Sequence, residues 1–263
     1  MSIRIIKADD QAQGAFDGGK ITEQKPIGFP HEGGAIHRLS TLFYWAWAKS
    51  DVGGYIPPHP HHSFEILTYV LNGYTHHGDS LGTDSVVGAG GAQLIQAGSG
   101  IHHSERLEGP HAELLQIWFE PNRGESIKRS PVYKQAEHDA FPKHELGQGI
   151  SLKTVLGEGS PLSIEADAVM TDILLPAGAS YVRDLPAGRS LGVLILSGQG
   201  TWSDEGQGIH ELYRQTDFVV IEAEKESNGN EQWTVSSDQE TRMIIIEVPT
   251  EVDYPLYPEK VEA

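Results

Sequence analysis

The chain of 263 residues contains no cysteine. This absence excludes disulfide bonds, thiolate metal sites, cysteine-ligated iron–sulfur clusters and cysteine nucleophiles, so any metal ion must be held by nitrogen and oxygen ligands. The sequence also lacks long apolar runs: no N-terminal segment of signal-peptide type and no stretch of about 20 apolar residues is present. We therefore expect a cytoplasmic protein that does not enter a membrane.

Positive charge is scarce as well. The sequence holds 19 Lys and Arg against 37 Asp and Glu, a formal net charge of −18. Such a surface repels phosphate backbones and anionic lipids, so we expect no direct binding to nucleic acid or to a membrane surface. Protein partners and small molecules stay open as ligands.

Glycine and proline are abundant, with 30 and 15 residues, and they separate short runs rich in aliphatic and aromatic residues. This spacing is typical of β-sandwiches and barrels, and long amphipathic helical periodicity is absent. Only Gln135–His144 suggests a helical turn or two. The predicted strands include Leu42–Ala48, Ile66–Leu71, Ala92–Gln96, Leu114–Phe119, Leu191–Leu196, Phe218–Glu222 and Met243–Val248.

The two halves of the chain resemble distant copies. A hydrophobic strand that runs into a glycine turn occurs at Ile66–Gly73 and again at Gly192–Gly200, and each is followed by a polar hairpin and another apolar strand. Any two β-hairpins share some of these features. We nevertheless predict an all-β protein of two stacked antiparallel barrels or jelly rolls with few short helices, divided into residues 1–150 and 151–263.

Histidine is unevenly distributed. Twelve of the 13 histidines lie at or before His144, and only His210 follows. A metal site built from imidazoles therefore belongs to the first half of the chain. Surface histidines that cluster by chance are the alternative.

The first histidine cluster is Pro57-Pro58-His59-Pro60-His61-His62-Ser63-Phe64-Glu65. In an extended chain, successive side chains alternate between two faces, so His59 and His61 point the same way and His62 points the opposite way. Two imidazoles two residues apart on a strand can chelate one ion. By the same parity, Glu65 shares the face of His59 and His61.

The second cluster is Gly98-Ser99-Gly100-Ile101-His102-His103-Ser104-Glu105, in which His103 and Glu105 share a face. Across a small barrel, the two clusters supply three neutral imidazoles and one carboxylate. This ligand set suits one divalent ion of Fe, Mn, Co, Ni, Cu or Zn and leaves coordination positions open for water, dioxygen or substrate. The same alternation places one of His76 and His77 inside the barrel.

The two clusters resemble the sequence motifs of the pirin family, within the cupin superfamily. Family members typically show His-Pro-His-Arg-Gly-(aromatic)-Glu, then a strand that ends in Glu-Gly, then Gly-x-Gly-Ile-x-His-(small)-Glu. The resemblance is close over Ile56–Tyr133 and weak from Gly159 onward. The chain departs from the pattern at three places, with His62 for Arg, Ser63 for Gly, and Asn72-Gly73 for Glu-Gly.

The resemblance implies a bicupin whose N-terminal half binds a metal, with iron(II) the usual ion, and whose C-terminal half binds none. It implies ligation by His59, His61, His103 and Glu105. In wider cupins the acidic ligand comes from the first cluster, so Glu65 is the alternative to Glu105.

Two functions follow as expectations. The first is a quercetin 2,3-dioxygenase-like oxidoreductase, in which a flavonol binds the metal and Glu105 acts as the catalytic general base. The second is a non-enzymatic metal or redox sensor that acts through a protein partner, as some pirin relatives do. A metal-free structural cupin is a third hypothesis, which the four-ligand set disfavours.

A stripe of aromatic residues lies on one predicted strand. Phe43, Trp45 and Trp47 share one strand face and Tyr44 takes the other. We expect these residues to belong to the core or to face a flat substrate.

Overall fold

The computed structural model describes residues 2–204, 208–223 and 231–257. Its regular structure is almost entirely antiparallel β-strand, which confirms the predicted fold class. The first ten strands are β1 (Ser2–Ile6), β2 (Ala12–Phe16), β3 (Ile21–Ile27), β4 (Leu42–Ser50), β5 (Gly54–His61), β6 (Glu65–Asp79), β7 (Asp84–Gly88), β8 (Ala92–Gln96), β9 (Ile101–Phe119) and β10 (Val132–Ala136). The next ten are β11 (Lys143–Glu145), β12 (Ser151–Leu156), β13 (Val169–Leu175), β14 (Ser180–Leu185), β15 (Arg189–Ser197), β16 (Gln199–Asp204), β17 (Ile209–Arg214), β18 (Phe218–Glu222), β19 (Glu231–Ser237) and β20 (Thr241–Pro249).

Helices are few and short in the described residues. There is one α-helix of four residues, α1 (Arg123–Ser126). The segment Gln135–His144, expected to hold a helical turn or two, contains a single 3-10 turn between β10 and β11. No helix in the described ranges is long and apolar enough to cross a membrane. The 3-10 turns lie at Ala8–Asp10, Asp17–Gly19, Pro30–Glu32, His138–Ala140 and Gly147–Gly149.

The chain forms two compact units, and each is discontinuous in sequence. One unit, here the histidine unit, comprises residues 11–141, 161–167 and 253–263; the other, the C-terminal unit, comprises residues 1–10, 142–160 and 168–252. The chain thus crosses between the units more than once. The division into a metal-binding cupin of residues 1–150 and a metal-free cupin of residues 151–263 stays a prediction.

The histidine unit is built on a nine-stranded antiparallel sheet. Its order is β10-β8-β6-β9-β4-β3-β2, with β5 paired to β9 and β7 paired to β6. The register of β6 against β9 shifts at Asn72, and Gly73 adopts a φ of 75° there. A bulge of this kind bends a strand and increases its twist. The long strands β6 and β9 therefore contribute to both faces of a jelly-roll-like arrangement. The sheet is not closed into a barrel.

The C-terminal unit contains a seven-stranded sheet, ordered β1-β18-β15-β20-β13-β12-β11, and a four-stranded sheet, ordered β14-β19-β16-β17. Its core includes Trp202 and Trp233, both fully buried, with ring centroids 4.7 Å apart. Aliphatic residues of β15 and β20 complete this core. The core is therefore apolar.

The resemblance between the halves has a structural counterpart. The strand that contains Ile66–Gly73 pairs with β8 in the histidine unit, and the strand that contains Gly192 pairs with β18 in the C-terminal unit. In both cases the strand is central in its sheet and is paired antiparallel on its other side too.

One expectation from strand alternation is wrong. Phe43 and Tyr44 were expected on opposite faces of β4, yet both rings contact Trp118, with centroids 5.9 Å and 4.7 Å away. The register of β4 against β9 shifts between Leu42 and Tyr44, and this bulge rotates the two side chains toward the same side. Phe43 and Tyr44 therefore belong to one buried aromatic cluster.

Candidate metal centre

The register of β5 against β9 brings three histidines together. His59 lies directly opposite His103, and His61 lies opposite Ile101, two pairs further along. One ring nitrogen from each of the three histidines lies within 4.8 Å of the others. The ring centroids of His59 and His103 are 4.4 Å apart. Alternation holds as predicted, because the intervening His102 is exposed to solvent.

Tight backbone approach positions the second cluster. Gly98 has a φ of 49°, and a side chain there would meet the carbonyl oxygen of Arg129 at 2.5 Å. Gly100 has a φ of 137°, a conformation that L side chains rarely adopt. The Gly-Ser-Gly turn thus lets the chain enter β9 with His103 already on the inner face.

The cluster is electrostatically prepared to bind a cation. Burial, together with the neighbouring imidazoles, lowers the pKa of His61 and of His103 to about 3. Both rings are therefore neutral at physiological pH and keep a lone pair for a ligand. Protonating one ring would place a positive charge beside the other two imidazoles. The neutral rings can instead donate their lone pairs to a metal ion.

The hydrogen bonds of the three rings fit this reading. Nδ1 of His59 lies 2.9 Å from the carbonyl oxygen of Pro57 and donates to it, so Nε2 is the nitrogen that can ligate a metal. Nε2 of His61 and both ring nitrogens of His103 are buried and have no hydrogen-bond partner within the described residues. Buried polar nitrogens are rarely left unpaired, and a bound metal ion would satisfy one nitrogen of each ring.

Glu105 lies on the same face but outside the group of three. Its carboxylate is buried and accepts hydrogen bonds from Gln116 at 2.6 Å and from Thr68 and Gln93 at 3.3 Å. These three hydrogen bonds hold the carboxylate in position beside the histidines. Sequence reasoning did not single out these three donors, because they come from three different strands.

Glu65, the alternative acidic ligand, is engaged elsewhere. Its carboxylate accepts hydrogen bonds from the backbone N–H groups of Glu165 and Ala166, at 2.7 Å and 2.9 Å, and from the side chain of Gln96 at 2.7 Å. Burial raises the pKa of Glu65, and these hydrogen bonds oppose that change. Glu65 therefore anchors the segment of residues 161–167 within the histidine unit.

A cavity of about 760 Å³ reaches the site. His103 and Glu105 form part of its wall, and Tyr55 and Pro58 contribute apolar surface. Pockets of 300–1,000 Å³ typically accommodate small organic ligands. The cavity is thus large enough for a flat bicyclic or tricyclic molecule next to the histidines.

The pair His76-His77 divides as alternation predicts. His76 is half-buried and its Nε2 lies 2.6 Å from a carboxylate oxygen of Glu108. His77 is the inward member: it is 1% exposed, and its Nε2 lies 2.9 Å from a carboxylate oxygen of Asp79. Asp79 was not recognised from the sequence, although its spacing of two from His77 places both on one strand face.

The three departures from the family pattern differ in their structural consequences. Ser63 adopts a φ of 67°, a left-handed conformation that favours glycine, and it is buried. Asn72 donates its side-chain amide to the carbonyl oxygens of Pro110 and His111, at 3.2 Å and 2.7 Å, which a glutamate could not do. His62 is exposed and contacts the hydroxyl of Ser63.

Fold and site together define an all-β, jelly-roll-like protein whose described residues include a three-histidine cluster. The Pirin family model matches residues 37–119. A "Pirin-like protein" of Caulobacter vibrioides is 33% identical over 208 residues, which cover 76% of this chain and 75% of that protein. The chain belongs to the pirin family.

Two further similarities bear on function. A Pseudomonas aeruginosa protein named "Putative quercetin 2,3-dioxygenase" is 38% identical over 152 residues, which cover 56% of this chain and 62% of that protein. The crystal structure of bacterial pirin YhhW from Escherichia coli in complex with nickel(II) superposes with a TM-score of 0.75 at 25% identity, covering 94% of this chain and 99% of that one.

Proposed function

We propose that the chain binds one divalent metal ion through His59, His61 and His103, with Glu105 as the fourth ligand. The observation that carries this proposal is the group of three converging imidazoles with buried, unpartnered nitrogens. The related YhhW protein, which was crystallised with nickel(II), supports a divalent ion. We propose iron(II) as the resident ion, while the ligand set also accommodates Mn, Co, Ni, Cu or Zn.

Glu105 is preferred over Glu65 because of what each carboxylate already does. Glu65 accepts two backbone N–H groups of residues 165 and 166, and moving it would leave those groups unpaired. The donors to Glu105 are side chains, which can reorient together with the carboxylate, so metal binding by Glu105 would leave no backbone N–H group unpaired. Glu105 is also two residues from His103 on the same strand face.

We further propose that the protein is a dioxygenase that acts on a flavonol such as quercetin. The similarity to the Pseudomonas aeruginosa protein supports the substrate class, and the cavity beside His103 and Glu105 is of suitable size. In this reaction one flavonol and one dioxygen yield a depside and one carbon monoxide. When bound, the metal supplies a Lewis acid and a redox centre for this chemistry.

The chain's own residues have distinct roles in this scheme. Glu105 accepts the proton of the flavonol hydroxyl, because it is the carboxylate beside the imidazole cluster. The amide of Gln116 holds Glu105 in place through the shortest of its hydrogen bonds, 2.6 Å. Trp118 packs edge-on against His61, with centroids 4.8 Å apart, and closes one side of the site to water.

Anaerobic loading with iron(II), followed by quercetin and dioxygen, tests this function. We expect loss of quercetin and release of equal amounts of carbon monoxide, and we expect Glu105→Gln to abolish both. Absence of turnover at full metal occupancy, with iron and with the other candidate metals, would contradict the dioxygenase. That result would favour the alternative, a metal-sensing regulator that acts through a protein partner.

A further inference from the structure

Strand register places a second polar pair beside the imidazole cluster. On β9, His103 lies between His59 of β5 and Asp79 of β6, and all three are in direct cross-strand register. Two residues along β9, Glu105 lies opposite His77 of β6. Since alternate residues share a face, His77 and Asp79 lie on the same side of the sheet as His103 and Glu105.

Asp79 is held rigidly by the hairpin that follows β6. One carboxylate oxygen accepts the backbone N–H groups of Leu81 and Thr83, at 2.8 Å and 3.0 Å. The other oxygen lies 2.9 Å from Nε2 of His77. An ionised carboxylate can only accept, so Nε2 of His77 is the donor. With the proton on Nε2, a neutral imidazole has its lone pair on Nδ1.

That lone pair is buried and unused. Nδ1 of His77 has no hydrogen-bond partner within the described residues. The ring itself is fixed, because Tyr133 stacks on it at a centroid distance of 4.4 Å and an interplanar angle of 18°. A bare acceptor in a rigid, buried ring requires a donor.

His103 has the complementary requirement, a hydrogen-bond acceptor for one of its ring nitrogens. Both of its ring nitrogens are buried and unpartnered, yet a single metal ion takes only one of them. The other nitrogen then carries a proton and requires an acceptor. The ring of His77 lies 5.4 Å from that of His103, centroid to centroid, and no hydrogen bond joins the two rings in this structure. At this separation, a change in the orientation of the His103 ring would bring one of its nitrogens within hydrogen-bond distance of Nδ1 of His77.

We propose that His77 is a positioning residue for the metal ligand His103, accepting the N–H of its non-ligating nitrogen, and that Asp79 sets the tautomer of His77 that makes this possible. This inference rests on the proposed metal site. The resulting series of hydrogen bonds runs from Asp79 through His77 to His103, which ligates the metal. It orients the ring of His103 and increases the basicity of its ligating nitrogen.

Metal affinity of the full chain, stripped with a chelator and titrated with Zn(II) against a competing indicator, tests the proposal. Loss of such an outer partner typically weakens metal binding by 10- to 100-fold. We expect a loss of this size in His77→Leu. In His77→Asn the amide oxygen lies near the former position of Nδ1, so this variant should recover most of the affinity. His76→Leu, at the neighbouring outward position, is the control and should bind Zn(II) as the wild type does.

Asp79→Asn separates the proposed role from simple packing. The backbone N–H groups of Leu81 and Thr83 hold the amide oxygen on their side, so the amide NH₂ must face Nε2 of His77. His77 is then forced to carry its proton on Nδ1 and can no longer accept from His103. A nearly isosteric change should therefore weaken Zn(II) binding as much as His77→Leu does.

Histidine ¹⁵N spectra of the Zn(II)-loaded protein provide a readout independent of activity. The wild type should show His77 protonated at Nε2 and a slowly exchanging N–H on His103, and Asp79→Asn should move the His77 proton to Nδ1. Unchanged affinity and an unchanged tautomer in the variants, with normal wild-type binding, would overturn this inference. Failure of the wild type to bind Zn(II) would instead overturn the proposed metal site itself.

Discussion

His59 lies directly opposite His103 on two antiparallel strands, β5 and β9, although the two residues are 44 positions apart in the sequence. This register creates the candidate metal site, because it brings histidines from two separate segments of the sequence next to each other. Each segment alone offers at most two imidazoles on one face. Only the pairing of the strands supplies a third imidazole.

The two candidate acidic ligands differ in a testable way. We expect Glu105→Gln to weaken metal binding by at least 10-fold, because a neutral amide replaces an anionic ligand. We expect Glu65→Gln to leave metal affinity within about twofold but to lower the unfolding free energy by about 1–3 kcal/mol, since an NH₂ group opposes the backbone N–H of Glu165 or Ala166. Metal titration and urea unfolding of both variants check this. The reverse pattern would make Glu65 the ligand.

The strained serine offers a stability test. Ser63 has a φ of 67°, and Ser63→Gly should raise the unfolding free energy by about 0.5–1 kcal/mol, because glycine adopts this conformation without a steric penalty. Gly73→Ser is the opposite change at a φ of 75°, where a Cβ would lie 2.6 Å from the carbonyl oxygen of Glu108, and it should destabilise. Urea denaturation measures both. A destabilised Ser63→Gly variant would show that the hydroxyl contact with His62 matters more than the strain.

The depressed histidine pKa values predict how stability depends on pH in metal-free protein. In the unfolded chain a histidine has a pKa of about 6.5. Folding lowers the pKa of His61 and His103 to about 3, so the unfolded state binds more protons between these values. Stability should therefore be complete above pH 6.5 and decline as the pH falls toward 3, by at most about 1.4 kcal/mol per pH unit for each ring.

His103→Asn removes one of the two depressed titrations and also relieves part of the other, because the His103 ring contributes to the lowered pKa of His61. The variant should show a shallower decline of unfolding free energy between pH 6.5 and 4 than the wild type. Parallel curves for the two proteins would contradict the depressed pKa of His103.

Local patterns in the sequence predict much of this structure. The strands Ala92–Gln96 and Phe218–Glu222 have the predicted bounds, and alternation correctly places His102 outside and His103 inside. These features depend on neighbours along the chain, where a period of two is sufficient. The all-β class follows from the same patterns together with the spacing of glycine and proline.

Features that depend on strand partners could not be predicted in the same way. The bulge that brings Phe43 and Tyr44 into contact with the ring of Trp118 arises from the register of β4 against β9. No local sequence pattern specifies that register. The capture of residues 165 and 166 by Glu65 joins positions 100 apart in the sequence. The exact partners of Glu105 likewise come from three strands. Long-range pairing sets all three.

The most direct test of the metal centre is elemental analysis of the full chain, purified without a histidine tag and compared with two variants. We predict one divalent metal ion per chain in the wild type, one in His102→Asn, whose side chain points to solvent, and none in His103→Asn. Equal metal content in wild type and His103→Asn, or no metal in the wild type even after reconstitution, would contradict the account.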